Sequence, residues 1–445
     1  MPARPRVAII PLLAVVVLGS LLAIIQVLSY PRLSPIDELS HLDYMYRSPT
    51  LLDPGDKVGQ EAMHTQACRG VDADGFEPQR CRAGTVYDPD IYQENGFNTA
   101  ATNTPLYYTA DRVVAEVIRW VTPADELFVA GRAAGALWLA LGVLLTALAG
   151  RRLGVRPLPL AAVLGVVVAA PAMTYASATV TPDAMGLAIG AGVLLAALRW
   201  EDRPSARGRA ALLVVVAALA ALVKLTNFVV VAGVALYLLL HRSRGGDEAP
   251  TTAGHRNRTV VALVTGGFAL FCAGAWTLFS NARSSSDPDD VPDMATRFTV
   301  DAFPWRGLID NALTLVQPLQ SPWVAVGDPT LMWFSNGAAH LLITAGLLGA
   351  ALFLPAGSRE ALLARCLVVA AVVFSLGLVV LGYVTAHMYF PLPNRYGLAL
   401  VAPAAVVTAS MLRTRTSVIA VSVLALIAVT MSLFRLIGLP WVPPT

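Results

Sequence analysis

Ser34-Pro35-Ile36-Asp37-Glu38-Leu39-Ser40-His41-Leu42-Asp43-Tyr44 follows directly on an apolar run, Val7 to Leu28, that is long enough to cross a bilayer. Adjacent carboxylates at the mouth of a membrane helix are costly unless they are paired or a site uses them. Working outward, similar apolar runs recur almost to the end of the chain. Its 445 residues are 56% hydrophobic and only 14% charged, with a mean hydropathy of +0.63. That composition excludes a soluble globular protein.

About eleven segments read as spans by hydropathy. They are Val7 to Leu28, Ala133 to Ala149, Leu158 to Tyr175, Ala184 to Trp200, Ala210 to Val223, Phe228 to Leu240, Val260 to Leu278, Phe334 to Leu354, Cys366 to Val384, Tyr396 to Leu412 and Val418 to Phe434. The expected fold is an all-α polytopic membrane protein forming one transmembrane domain over 1–445. The fifth and sixth spans are short and meet at Lys224-Leu225-Thr226-Asn227, as a hairpin short of full depth would. Arginines fall in every second connection: Arg4/Arg6, Arg151/Arg152/Arg156, Arg203/Arg207/Arg209, Arg242/Arg244/Arg256/Arg258, Arg359 and Arg413/Arg415. Those connections and the N-terminus are expected to be cytoplasmic. Both long loops, 30–132 and 281–333, are then exocytoplasmic. Val7 to Leu28 exceeds a signal-peptide core and no small-residue cleavage site follows it, so it reads as a retained anchor.

The net charge of +3 belongs to this topology, and no basic stripe with interleaved aromatics suggests nucleic acid. Two of the 32 basic residues are lysines, which fits a high-GC bacterial genome. Cys272 and Cys366 lie inside spans and read as packing. Cys68 and Cys81 share the first long loop, where an oxidising compartment favours a disulfide. Near the end of that loop, Asn103-Thr104-Pro105 is a helix start. Leu106, Val113, Val114, Val117, Ile118 and Val121 then share one face, as in a helix lying in the membrane interface. Tyr107, Tyr108 and Trp120 suit the headgroup boundary, and the two tyrosines count among the candidate substrate contacts. The acidic run Asp287 to Asp293 in the second long loop reads as a solvated linker. No sequence repeat or inverted halves are evident.

Asp37 and Glu38 are the leading catalytic candidates. They could simply favour the first turn of a helix, or act as a general base toward an acceptor hydroxyl at headgroup level. The pattern leaves both readings open. On a helix His41 shares a face with Asp37, and with Asp43 it offers one edge of a divalent-cation site. Lys224, deep between two short apolar helices, reads either as snorkelling or as counter-charge to a lipid phosphate. Arg395, in Pro393-Asn394-Arg395-Tyr396, could grip phosphate through two parallel hydrogen bonds. Arg132 is a weaker candidate of the same kind. In Thr181-Pro182-Asp183, Thr181 caps, Pro182 takes the first turn and Asp183 meets the helix dipole, which leaves Asp183 a supporting carboxylate.

In this order the pieces resemble the GT-C superfamily of membrane glycosyltransferases. More closely, they resemble a bacterial family of predicted multi-pass membrane proteins within it. The likeness lies in Ser34-Pro35-Ile36-Asp37-Glu38-Leu39-Ser40-His41 against Pro-x-Asp-Glu-x-x-His, and in Thr104-Pro105-Leu106-Tyr107-Tyr108. It continues in Thr181-Pro182-Asp183-Ala184-Met185 against Asn-Pro-Asp-Ala and in Val223-Lys224-Leu225-Thr226-Asn227. It ends with Asn394-Arg395-Tyr396-Gly397, where the family more often has Gly before Arg. The resemblance implies a polyprenyl-phosphate sugar donor, a cell-envelope glycan, lipid or protein acceptor, transfer at the exocytoplasmic face of the bacterial cytoplasmic membrane, and Asp37 as base. It carries over no firm cofactor, because some relatives need a divalent cation and others do not. A flippase or transporter of a lipid-linked sugar, or an inactive scaffold for envelope assembly, is the competing reading. Against ion-coupled transport, the bilayer midplane is nearly free of carboxylates.

Overall fold

The computed structural model describes residues 9–71, 79–241, 252–284, 292–321 and 328–438; the side chains of 252–256 are not described. The acidic run from Asp287 to Val291 lies outside the described residues. Described secondary structure is helical, with isolated β-bridges only. In chain order the helices are α1 (Ile10–Ser29), α2 (Glu38–Arg47), α3 (Gln60–Arg69), α4 (Leu106–Val121), α5 (Leu127–Arg152), α6 (Pro157–Val168), α7 (Pro171–Ala176), α8 (Gly186–Glu201) and α9 (Arg207–Val223). They continue as α10 (Phe228–Leu240), α11 (Thr252–Ala282), α12 (Asp293–Arg297), α13 (Trp305–Asn311), α14 (Pro329–Phe353), α15 (Arg359–Ala386), α16 (Val401–Met411) and α17 (Arg415–Ile437).

Every apolar segment read as a span is helical, but only seven helices among the described residues are long and apolar enough to cross a membrane unaided. The other four segments are short for identifiable reasons. Pro171, which cannot donate to Val167, separates α6 from α7. The polar turn at Lys224–Asn227 separates α9 from α10, so each arm of that hairpin is a short helix, of 17 and 13 residues. The seven residues Asn394–Leu400 wind as a 3₁₀ helix before α16 begins.

Helix α5 lies at the centre, packed against α1, α4 and α8, while α14, α15 and α16 build a second group beside α10 and α8. Small residues set the closest approaches. A Cβ on Gly190 would collide with the carbonyl oxygen of Ala399, so only glycine lets the 394–400 segment lie directly on α8. That contact brings Arg395 to Asp183. Among the described residues, arginine-bearing connections gather at one end, where Arg156 donates to the carbonyls of Leu412 and Arg413 and Arg359 pairs with the shielded side chain of Glu201 at 2.6 Å. The first long loop folds over the other end through α2, α3 and α4, with Cys68 and Cys81 joined by a disulfide.

Helix α4 has its expected amphipathicity. Val113, Val117, Trp120 and Val121 face outward, as they would toward lipid, and Ala115 and Asp111 face the bundle. Tyr107 and Tyr108 also point inward and are fully buried, which corrects the expectation that they sit at the headgroup boundary. Their hydroxyls are held by protein groups, as described below.

Candidate active site

Asp37 precedes α2 in the left-handed backbone region, φ 58°, and makes no capping bond to the helix. A non-glycine residue there carries local strain, which Asp tolerates better than most. Its carboxylate is directed away from the helix, toward Arg395, whose Nη2 donates to Asp37 Oδ2 at 2.6 Å. Arg395 Nε lies 3.8 Å from Asp183 Oδ2, and Lys224 Nζ donates to Asp183 Oδ1 at 2.5 Å. The four residues form a row of alternating charge, Asp37–Arg395–Asp183–Lys224, contributed by segments up to 358 positions apart. Asp37 is the accessible end, its side chain 42% exposed, whereas Asp183 is 4% exposed. The Lys224 ammonium also sits 4.7 Å from the Tyr396 ring centroid, a cation–π contact.

Burial pushes the Asp37 carboxyl upward, but the Arg395 guanidinium, with Lys224 behind it, outweighs that and holds the pKa below its ordinary value. Asp37 is therefore ionised at neutral pH. His41 is driven down to about 4, chiefly by burial, with Asp37 pulling the other way and Lys224 and Arg395 adding to the depression. Its Nδ1 lies 2.8 Å from the Tyr108 hydroxyl, which accepts from Asn103 Nδ2 at 3.1 Å. Asn103 and His41 thus hold the Tyr108 hydroxyl between them, and the depressed pKa leaves His41 neutral at pH 7.

The structure corrects several expectations for this region. Glu38, expected beside Asp37 as a second candidate base, is fully engaged by neighbouring groups. Its side chain is 1% exposed and accepts from Arg132 Nε at 2.8 Å and Nη2 at 2.5 Å, Ser34 N at 2.6 Å and Val180 N at 3.0 Å. Arg132 is consumed by the same contacts and by the carbonyls of Tyr30 and Arg32, which removes it as a phosphate ligand. The Tyr107 hydroxyl accepts from Thr181 N at 3.0 Å and braces the Asp183 turn from behind. Asp43 accepts from Gly59 N, Asn98 Nδ2 and Arg47 Nη1 at 2.9, 2.7 and 3.3 Å, so it anchors the first loop. With Asp43 so engaged and His41 Nδ1 held by Tyr108, the pair does not fit a divalent cation. Among the described residues, the three-residue set with metal-ligand spacing is His64, Cys68 and Cys81, and its cysteines form the disulfide.

Two cavities flank the charged row. A polar cleft of about 620 Å³ has Asp37 and Arg395 in its wall, together with residues of both long loops. The loops meet where Glu94 Oε2 accepts from Met294 N at 2.6 Å and Glu94 Oε1 accepts from Arg297 at 2.9 Å. An apolar groove of about 370 Å³ runs between α5, α8 and α9, from Met185 and Val223, beside Asp183 and Lys224, down to Arg199. Sequence reasoning missed Tyr396, His41's partner Asn103, and the Glu94 junction. The signal for the last was the Asn95-Gly96 turn, with Glu94 and Asn95 at positive φ.

The family model described as "Predicted membrane protein (DUF2142)" matches residues 21–389, a range that holds Asp37, Asp183 and Lys224 and ends before Arg395. No curated protein matches the chain. Among solved structures, it is similar to the crystal structure of the Archaeoglobus fulgidus oligosaccharyltransferase in the apo form. The two are 13% identical with a TM-score of 0.46 over 96% of this chain and 56% of that one, so the chain spans about half that protein's length. Since the family match covers most of the sequence, from the first apolar helix through the last long loop, the chain belongs to the DUF2142 family of predicted membrane proteins.

Proposed function

We propose that this protein is an inverting glycosyltransferase that moves a sugar from a polyprenyl phosphate to a cell-envelope acceptor at the exocytoplasmic face of a bacterial cytoplasmic membrane. The observation that carries the reading is the convergence of Asp37, Arg395, Asp183 and Lys224 between a polar cleft and an apolar groove. A lipid-linked sugar phosphate offers an apolar chain to the groove and an anionic link to the two cations, which leaves the cleft beside Asp37 for a hydroxylated acceptor. Among the described residues, the arginine-bearing connections at Arg152, Arg156, Arg258, Arg359 and Arg413 meet one another at the end away from Asp37, which supports a cytoplasmic placement for that end.

Without substrate the two cations neutralise the two carboxylates. A bound phosphodiester competes for Arg395 and Lys224, and Asp37 then loses the partner that most depresses its basicity. Asp37 takes the proton of the acceptor hydroxyl as that oxygen bonds to the anomeric carbon. The bond from carbon to phosphate oxygen breaks on the opposite face, and polyprenyl phosphate leaves with an additional negative charge. Arg395 and Lys224 stabilise that charge in a site of low dielectric, where fixed donors act most strongly. A single displacement inverts the anomeric centre and needs no covalent enzyme intermediate.

The test is transfer in proteoliposomes from radiolabelled polyprenyl-phosphate sugars to an envelope fraction, wild type against Asp37→Asn. Transfer that drops by a factor of about 10² or more in a folded variant supports the assignment. Equal transfer by both forms removes Asp37 as base. Binding and translocation of the labelled lipid without transfer replaces the enzyme with a flippase.

A further inference from the structure

The transferase reading leaves the acceptor class open, and the walls of the two cavities differ in a way that bears on it. The cleft and the groove share no lining residue. The groove is almost wholly hydrocarbon, whereas the cleft wall carries hydroxyls, amides, carboxylates and one aromatic ring. Ser40 and Thr99 lie together in that wall, with Thr99 Oγ1 donating to Ser40 Oγ at 3.2 Å. The amide nitrogen of Asn394 is held by the carbonyls of Thr314 and Gln317 and by Gln320 Oε1, which leaves its oxygen as an acceptor beside Arg395. Gln93 Oε1 is shielded from solvent and has no hydrogen-bond partner. Phe390 adds an apolar ring face to the same wall.

We propose that this cleft is the acceptor subsite and that the acceptor is a glycan, a proposal that rests on the transferase reading above. Hydroxyl, amide and carboxylate groups in one wall, with Phe390 among them, match a polyhydroxylated chain, whose hydroxyls each donate and accept. A cavity of about 620 Å³ is within the range of small-molecule sites. The wall combines apolar residues, Ile36, Leu39 and Phe390, with hydroxyls, amides and charges, a mixture that suits the apolar ring and the hydroxyls of a sugar better than an acyl chain. Asp37 lies in the same wall, so a hydroxyl of a glycan seated there is within reach of the base. Ser40, Thr99, Gln93 and Asn394 position the acceptor and do not touch the phosphate.

The experiment is amide hydrogen exchange on the full-length protein in nanodiscs. It uses three probes from bacterial envelopes: deacylated and protease-treated polysaccharide, the chloroform–methanol lipid extract, and the protein fraction. The expected result is several-fold slower exchange at 93–99 and 390–396 with polysaccharide alone, diminished in Gln93→Ala while exchange in α5 and α8 is unchanged. No slowing with polysaccharide, or slowing by lipid or protein in its place, overturns the proposal. Protection by polysaccharide without sugar transfer in proteoliposomes upholds the glycan cleft and defeats the transferase reading, so the two failures are distinct.

Discussion

Arg132 and Glu38 face each other with both side chains 1% exposed, Nη2 to Oε2 at 2.5 Å, and the pair ties the start of α2 to α5 and to the backbone at Val180. An ion pair this deeply buried is costly to break one-sidedly, because the remaining charge has no water to turn to. Arg132→Met or Glu38→Gln should each destabilise the protein by roughly 3–5 kcal/mol. The double variant should lose less than the sum. Thermal unfolding in detergent, followed by intrinsic fluorescence, gives the comparison, and additive losses would refute the coupling.

Arg395 reaches Asp37 through Nη2 and Asp183 through Nε, a span that a single ammonium cannot reproduce. Arg395→Ala should lower transfer by roughly 10²–10³, the range for removing one preorganised donor at a developing negative charge. Arg395→Lys should fall between that variant and wild type, with the donor KM raised. Initial rates at several donor concentrations separate the two parameters. Wild-type kinetics in Arg395→Lys would mean that the guanidinium fork is not used.

The helical fold was legible because bilayer-length apolar runs are a strong signal, and Asp37, Lys224 and Arg395 stood out as charges beside them, whereas Asp183 read chiefly as part of a helix start. Their convergence was not legible, because it depends on pairings between segments far apart in sequence. Glu38 and Arg132 looked functional for the same reason as Asp37: each is an ionisable residue at a helix end. Only the three-dimensional partners distinguish a charge used up by its neighbours from one left accessible. Tyr107 and Tyr108 misled in another way. Aromatic residues on an amphipathic helix suit either an interface or a core, and here the hydroxyls turn inward to Thr181 and to His41.

His41 and Asp111 should give opposite pH responses. Burial sets His41 to about 4, against 6.5 in an exposed chain. The unfolded chain binds more protons between those values, so His41 removes stability as pH falls from 6.5 toward 4. Asp111 is raised from 3.8 to about 7 by burial, against the hydrogen bonds from Trp138 and Tyr107. There the folded chain holds the extra proton, and stability grows as pH falls through the same range. Each term is on the order of 3–4 kcal/mol, so they largely offset in wild type. The Tm of Asp111→Asn should fall on acidification from pH 7 to about 4.5, and that of His41→Gln should rise. The same sign of change in both variants would contradict these protonation states.

The groove between α5, α8 and α9 gives the last prediction, since it begins beside Lys224 and descends among hydrocarbon side chains. If the prenyl chain of the donor lies there, filling the groove should weaken the donor without altering the chemistry. Gly192 is suited to the test, because an added Cβ would meet only Val216 at 3.9 Å and Leu145 at 4.0 Å, ordinary contact distances. Replacing a helical glycine also favours the helix, so Gly192→Leu should fold. Each displaced methylene contact removes about 0.8 kcal/mol, so the loss of two raises the donor KM on the order of tenfold with kcat retained. A donor whose prenyl chain is too short to reach Gly192 should show no change in KM. Equal effects on long and short donors would place the chain elsewhere on the bundle and leave the groove to ordinary membrane lipid.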